Sequence, residues 1–117
     1  MNCSRNEEVI CFMPQYAVIG SHPPNICPMT NKTVRAFAKK VYAQLPKLAK
    51  RYDVKVLLDV HLDPSHKAFM LFEAPNAEAV RDLLFMAGFG HFLDIEFYLV
   101  TPIKEILAHV DDMPTLF

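Results

Sequence analysis

Polar and apolar residues alternate along four short runs of the chain, which is the pattern of β-strands that bury one face. The runs cover residues 15–22, 54–62, 67–74 and 92–100. Pro23 and Pro24 end the first run, and the turn residues 63–65 separate the second run from the third. Because so short a turn joins the second and third runs, the sequence predicts a β-hairpin there.

Between these runs the apolar residues recur at steps of three and four, as on the buried stripe of an amphipathic helix. The first helix is predicted to begin after Thr30 or Asn31, with apolar positions as far as Tyr52. Pro46 lies inside this pattern and is expected to kink the helix or split it in two. A second helix is predicted from residues 75–76 to a glycine cap at Gly88 or Gly90, and a short third one over residues 103–110.

The order of these elements predicts an α+β fold of the ferredoxin-like βαββαβ type. Right-handed crossovers through the two main helices give a four-stranded antiparallel sheet with both helices on one face. With continuous alternation, the other face combines apolar and polar side chains: Leu57, Phe69, Leu71, Tyr98 and Val100 with Asp59, His61, Glu73, Asp94 and Glu96. Such a mixed face favours a homodimer whose two sheets pack around a lined cavity, the alternative being an open face in solvent.

Composition agrees with one domain at residues 15–117 after a short N-terminal leader at residues 1–14. The chain has 117 residues, and its 52% hydrophobic content excludes a disordered chain. A net charge of −1 argues against a nucleic-acid partner. No apolar run approaches the length of a membrane span, and the leader lacks the basic start of a signal peptide, so a cytoplasmic location without a membrane partner is expected.

The best candidate for chemistry is the proline-rich loop after the first strand, which carries His22 and Cys27. Cys27 precedes the start of the predicted helix by only three or four residues, so the positive end of the helix dipole is expected to favour a thiolate there. Sulfur and imidazole ligands together suit a transition metal ion such as zinc, nickel or copper. His61 and His91, near other strand ends, are further candidate ligands, and His61 with His66 forms only a weak metal signal across the hairpin. The alternative is a buried structural thiol beside a histidine that hydrogen-bonds the loop.

Three further residues are candidates for binding a small ligand: Asp59, Glu73 and Tyr98. Carboxylates in a partly apolar cavity can serve as general acids or bases, although salt bridges with Lys55 or Lys67 are the simpler interpretation. The sequence has neither a glycine-rich phosphate loop nor a GxSxG motif, so it assigns no catalytic residue.

The element order, the small size and the polar-lined face resemble the dimeric α+β barrel superfamily. That superfamily includes muconolactone-isomerase-like proteins, small cofactor-free monooxygenases and stress-responsive barrel proteins. The segment SHPPNICP after the first strand is similar to that of a family of uncharacterised small proteins with a His-x4-Cys-Pro segment. The resemblance implies the barrel fold and a homodimer, but no particular reaction, because unrelated activities share this fold.

Three functions remain open at this point. The first is a small dimeric protein that binds a metal ion or small ligand near the His22/Cys27 loop and the open sheet face. The second is a cofactor-free enzyme. As an enzyme it would be isomerase-like or monooxygenase-like and act on a small apolar substrate. The third possibility is a purely structural or regulatory dimer.

Overall fold

The computed structural model describes residues 13–117. The predicted leader therefore lies outside the described residues except for Met13 and Pro14. Within that range the chain forms strands β1 to β4 and helices α1 to α3. Their bounds, in chain order, are β1 Gln15–Ser21, α1 Lys32–Arg51, β2 Lys55–Leu62, β3 Lys67–Glu73, α2 Ala77–Ala87, β4 Asp94–Val100 and α3 Ile103–His109.

The four strands form one antiparallel sheet in the order β2-β3-β1-β4. Helices α1 and α2 cover one of its faces, so the predicted βαββαβ fold class is confirmed. The predicted start of β4 is wrong by two residues. A short 3-10 turn, Phe89–His91, comes first, and both Phe92 and Leu93 donate their backbone N–H to the Phe89 carbonyl and are buried.

Local side-chain and glycine signals define the helix ends. The side chain of Asn31 accepts a hydrogen bond from the backbone N–H of Val34 at 3.1 Å, so Asn31 is the N-cap of α1. Asn76 caps α2 in the same way, and Gly88 ends α2 in a left-handed conformation. Helix α1 continues through Pro46, so of the two outcomes expected there, a kink or a split, the split does not occur. Buried residues on both sides of Pro46, including Leu45 and Ala49, hold the two halves to the same core.

The hydrophobic core lies between the sheet and the two long helices. Three strand residues, Val18, Met70 and Phe72, have no exposed surface. The helices pack on them through a stripe of apolar residues, which includes Val41, Leu45, Val80, Leu83 and Leu84. This packing fixes which face of the sheet is buried and leaves the opposite face uncovered.

Strand β2 contains a β-bulge that reverses the facing of its second half. Val56 pairs with Phe72 of the buried face, but the register then shifts, and Leu58 pairs with Leu71 of the uncovered face. Because side chains alternate strictly along a strand, one extra residue exchanges the two faces for every residue that follows. Asp59 and His61 therefore lie on the helix-covered side. Their predicted position on the uncovered face is wrong.

We call the uncovered side of the sheet the open face. The bulge brings Leu58 and Val60 to it, each partly exposed at 43% and 38%. The register places on the same face Ala17, Ile19, Phe69, Leu71, Glu73, Glu96, Tyr98 and Val100. Every residue from Thr101 to Phe117, including α3, is also exposed. None of the helices formed by residues 13–117 is long and apolar enough to cross a membrane.

The glycine cap at the end of α2 can be tested by substitution. Gly88 has φ of 98°, and an added Cβ would lie 3.1 Å from Cζ of Phe37. We expect Gly88→Ala to lower the free energy of unfolding by about 1–2 kcal/mol, because left-handed backbone strains a residue with a side chain. Gly90→Ala is the matched control, since its Cβ would meet nothing within 4 Å. Equal stability of the two variants in urea unfolding would contradict this account of the cap.

Candidate metal centre

Three side chains with metal-binding atoms converge where β1 ends. One ligand atom from each of His22, Cys27 and His66 lies within 4.8 Å of the other two. Their exposure differs, because Cys27 is 5% exposed, His22 is half-buried and His66 is exposed. The cluster thus extends from the protein interior to the surface.

The pairing of β1 with β3 brings His22 and His66 together. Ser21, the last residue of β1, pairs with Lys67, the first residue of β3. One residue beyond this pair, the backbone N–H of His22 donates to the carbonyl oxygen of His66 at 3.1 Å. The two imidazole rings then meet nearly edge to face, with centroids 5.1 Å apart. Their proximity therefore follows from sheet topology rather than from a flexible loop.

A hydrogen-bonded loop positions Cys27. The thiol residue follows a 3-10 turn, Pro24–Ile26, and its carbonyl oxygen accepts from the backbone N–H groups of Thr30 and Asn31 at 3.0 and 2.8 Å. The guanidinium of Arg35 donates to the carbonyl oxygens of Pro28 at 3.0 Å and Met29 at 2.6 Å. The loop around Cys27 is thereby tied to the first turns of α1. Little chain entropy remains to be lost when a ligand binds there.

A backbone carbonyl sets the tautomer of the His22 ring. Its Nδ1 lies 3.0 Å from the carbonyl oxygen of Pro23. A carbonyl oxygen can only accept, so Nδ1 carries the proton and Nε2 keeps the lone pair that a metal needs. Metal-bound histidines usually have this type of second hydrogen bond, which fixes the ring and its tautomer.

The three ligand atoms are close to the spacing that a bound ion requires. Around tetrahedral zinc, with bonds of about 2.0–2.3 Å, neighbouring ligand atoms are separated by roughly 3.3–3.7 Å. Rotations of side chains that move the atoms by about 1 Å suffice to reach this spacing from within 4.8 Å. His66, which is exposed, has the freedom to make such an adjustment.

The other two predicted ligands lie outside the cluster. His61 points to the helix-covered side and lines the same cavity as His22 and Cys27, but its Nδ1 is 2.5 Å from a carboxylate oxygen of Asp63. The ring of His91 packs at a right angle on Phe37, with centroids 5.4 Å apart. His66 takes the third position instead. The sequence analysis placed His66 only in a weak pair with His61, and the pairing of β1 with β3 is what brings it to His22.

The three residues predicted to bind a small ligand are not brought together. Glu73 and Tyr98 lie on the open face, where they are separated by β1, and Asp59 lies on the opposite side of the sheet. Tyr98 donates a hydrogen bond to Glu96, and this bond, with the negative charge of Glu96, raises the pKa of the phenol. The environment of Asp59 is different, because it lies beside Tyr42 of α1.

Tyr42 of α1 and Asp59 of β2 line the same shallow pocket, and the pKa values of both side chains are raised. Asp59 keeps an exposed edge, yet partial burial of its carboxyl raises its pKa. Burial, with a smaller contribution from the charge of Asp59, raises the pKa of Tyr42 from 10.0 to about 12. Because the folded state holds this proton more tightly than the unfolded state does, Tyr42 makes stability fall as the pH rises through that interval.

Titration of Tyr42 can be followed by NMR in protein labelled at tyrosine Cζ. We expect its pKa to fall in Asp59→Asn but to stay above 10.0, because burial is the larger cause of the shift. Tyr42→Phe identifies the resonance, and Asp63→Asn is the control that leaves the titration unchanged. If Asp59→Asn does not alter the Tyr42 curve, the two groups do not interact as the geometry indicates.

Known proteins show only a limited structural likeness to this chain. No known protein family matches the sequence, and no curated protein matches it. Among eight matching chains of solved structures, the de novo designed protein Ferredog-Diesel has a TM-score of 0.44 and 12% identity, over 84% of this chain and 95% of its own. A REP-associated tyrosine transposase bound to a REP hairpin has a TM-score of 0.44 and 11% identity, over 95% of this chain and 69% of its own. Neither likeness carries an argument about function.

Proposed function

We propose that this protein binds one transition metal ion through His22, Cys27 and His66. The observation that carries the proposal is the convergence of one sulfur and two imidazole nitrogens within 4.8 Å. The tautomer of His22, fixed by the Pro23 carbonyl, adds support because it leaves Nε2 ready to coordinate. The buried thiol and the bond from His22 to the loop would also suit a structural role, so it is the third donor, His66, that favours a metal.

The donor set narrows the choice of metal. A thiolate with two imidazoles favours zinc, copper or nickel over magnesium, calcium or manganese, which prefer oxygen ligands. Three protein ligands also leave a fourth position of a tetrahedral ion open, as in zinc sites that bind an exogenous molecule. Met29 lines the adjoining cavity and offers a thioether that suits copper in particular. A reducing cytoplasm would keep the Cys27 thiol from forming a disulfide, so that it stays available as a ligand.

We further propose that the open face joins two copies of the chain. The β-bulge supports this, because it adds Leu58 and Val60 to a face that already carries Phe69, Leu71 and Tyr98. Contiguous apolar surface of this kind is typical of protein interfaces. Packing of two such sheets face to face is the arrangement that the resemblance to dimeric α+β barrels implies.

A cofactor-free isomerase or monooxygenase acting on a small apolar substrate is the weaker alternative. That function needs polar groups gathered in the space between two open faces. Asp59 lies on the other side of the sheet from Glu73 and Tyr98, so it cannot share that space with them. The metal-binding proposal has no such conflict.

Metal binding is testable with untagged protein in which Cys3 and Cys11 are replaced by serine, so that Cys27 is the sole thiol. Competition with a chromophoric chelator should give one zinc ion per chain. We expect His22→Ala, Cys27→Ser and His66→Ala each to weaken zinc binding by at least about tenfold, because each removes a ligand. His91→Ala is the control with unchanged affinity. Wild-type affinity in His66→Ala would show that the cluster is not the site.

The dimer is testable by sedimentation velocity. We expect Leu71→Lys to dissociate or precipitate the protein, because an unpaired charge buried in an interface costs about 3–5 kcal/mol. Leu99→Lys is the matched control, since Leu99 is 62% exposed and lies on the helix-covered side of β4. A stable dimer of unchanged size in Leu71→Lys would place the interface elsewhere.

A further inference from the structure

A small cavity adjoins the proposed metal centre. Its volume is about 170 Å³, and two of the three candidate ligands, His22 and Cys27, form part of its wall. Most of the remaining wall is apolar and comes from three parts of the fold: Ala38 of α1, Ala68 of β3, and Phe92 and Leu93 before β4. The cavity therefore lies between the sheet and α1, beside the ligands rather than across the molecule from them.

The size and lining of the cavity limit what it can hold. A cavity of about 150 Å³ lined by apolar side chains accommodates benzene. Pockets for drug-sized ligands are larger, at about 300–1,000 Å³. A molecule of about benzene size thus fits without movement of the wall. The apolar wall favours a compact apolar body over a strongly hydrated ion.

We infer that the open coordination position of the metal faces this cavity and binds a small, mainly apolar molecule through one nitrogen, oxygen or sulfur atom. The inference rests on the metal binding proposed above, and it makes the centre a ligand-binding site rather than a structural one. Two of the three protein ligands border the cavity, so an ion held by them has this space as a neighbour. His66 approaches the ion from the exposed side.

His61 gives the cavity one polar side. Its Nδ1 lies 2.5 Å from a carboxylate oxygen of Asp63, which can only accept, so Nε2 is left for another partner. Lys67 and the phenol of Tyr42 are further polar parts of the wall. A bound molecule with a polar group opposite its donor atom would find a hydrogen-bond partner in His61. This second contact would select among molecules of equal size.

Cobalt(II) can be bound to the protein in which Cys3 and Cys11 are replaced by serine. Because its visible spectrum depends on its ligands, it reports both the binding of the metal and the binding of a further molecule to the metal. Pyrazole is a suitable probe, as it is smaller than benzene and has one donor nitrogen, and 4-phenylpyrazole is the oversized control. We expect pyrazole to change the cobalt spectrum with saturation at one molecule per ion. The phenyl derivative should bind at least about tenfold more weakly, since one ring already takes up most of the cavity volume of about 170 Å³.

Two variants that fill the cavity complete the test. Ala38→Leu and Ala68→Leu should leave cobalt affinity unchanged but weaken pyrazole binding by at least about tenfold. Ala43→Leu, on the exposed side of α1, should change neither. Failure to bind cobalt would overturn the proposed function itself. Normal cobalt binding with no response to pyrazole, or with equal response in the filled variants and in Ala43→Leu, would overturn the inference alone.

Discussion

The antiparallel pairing of β1 with β3 is the interaction on which the rest of the structure depends. It aligns the buried residues of the two central strands, Val18 with Met70, under the helices. The same register continues to Ser21 and Lys67 at the end of the ladder. The hydrogen bond from His22 to His66 extends it by one step. Core packing and the geometry of the candidate metal centre are thus consequences of one strand alignment.

The β-bulge in β2 then decides what each face of the sheet can do. Without it, the apolar residues of the second half of β2 would be buried and Asp59 and His61 would lie on the open face. With it, the open face becomes more apolar, and the cavity under α1 receives His61. One additional residue in β2 therefore places Leu58 and Val60 on the face suited to protein contact and His61 at the cavity on the other side.

The sequence predicted the order of the elements and most of their bounds, because prolines, capping asparagines and Gly88 mark the ends of helices and strands. It did not predict the bulge. Leu57 and Leu58 are adjacent leucines, and the alternation on either side of them is regular, so the pattern is compatible with two facings of the second half. Only packing against Phe72 and Leu71 chooses between them.

The candidate site was predictable in part for a related reason. His22 and Cys27 are close along the chain, so their proximity follows from local structure. His66 joins them through strand pairing, a relation between distant residues that must be worked out from topology. His91 also lies near a strand end, but the 3-10 turn before β4 directs its ring towards Phe37.

The tie between His22 and His66 joins parts of the chain that are distant in sequence. An ion held by both residues would close a loop of roughly forty residues containing α1 and β2, much as a disulfide does. Closure of so long a loop restricts the unfolded chain, an effect on the order of 4 kcal/mol for a permanent link. A metal ion is a reversible link, so the stability of the fold would increase and decrease with the concentration of the free ion.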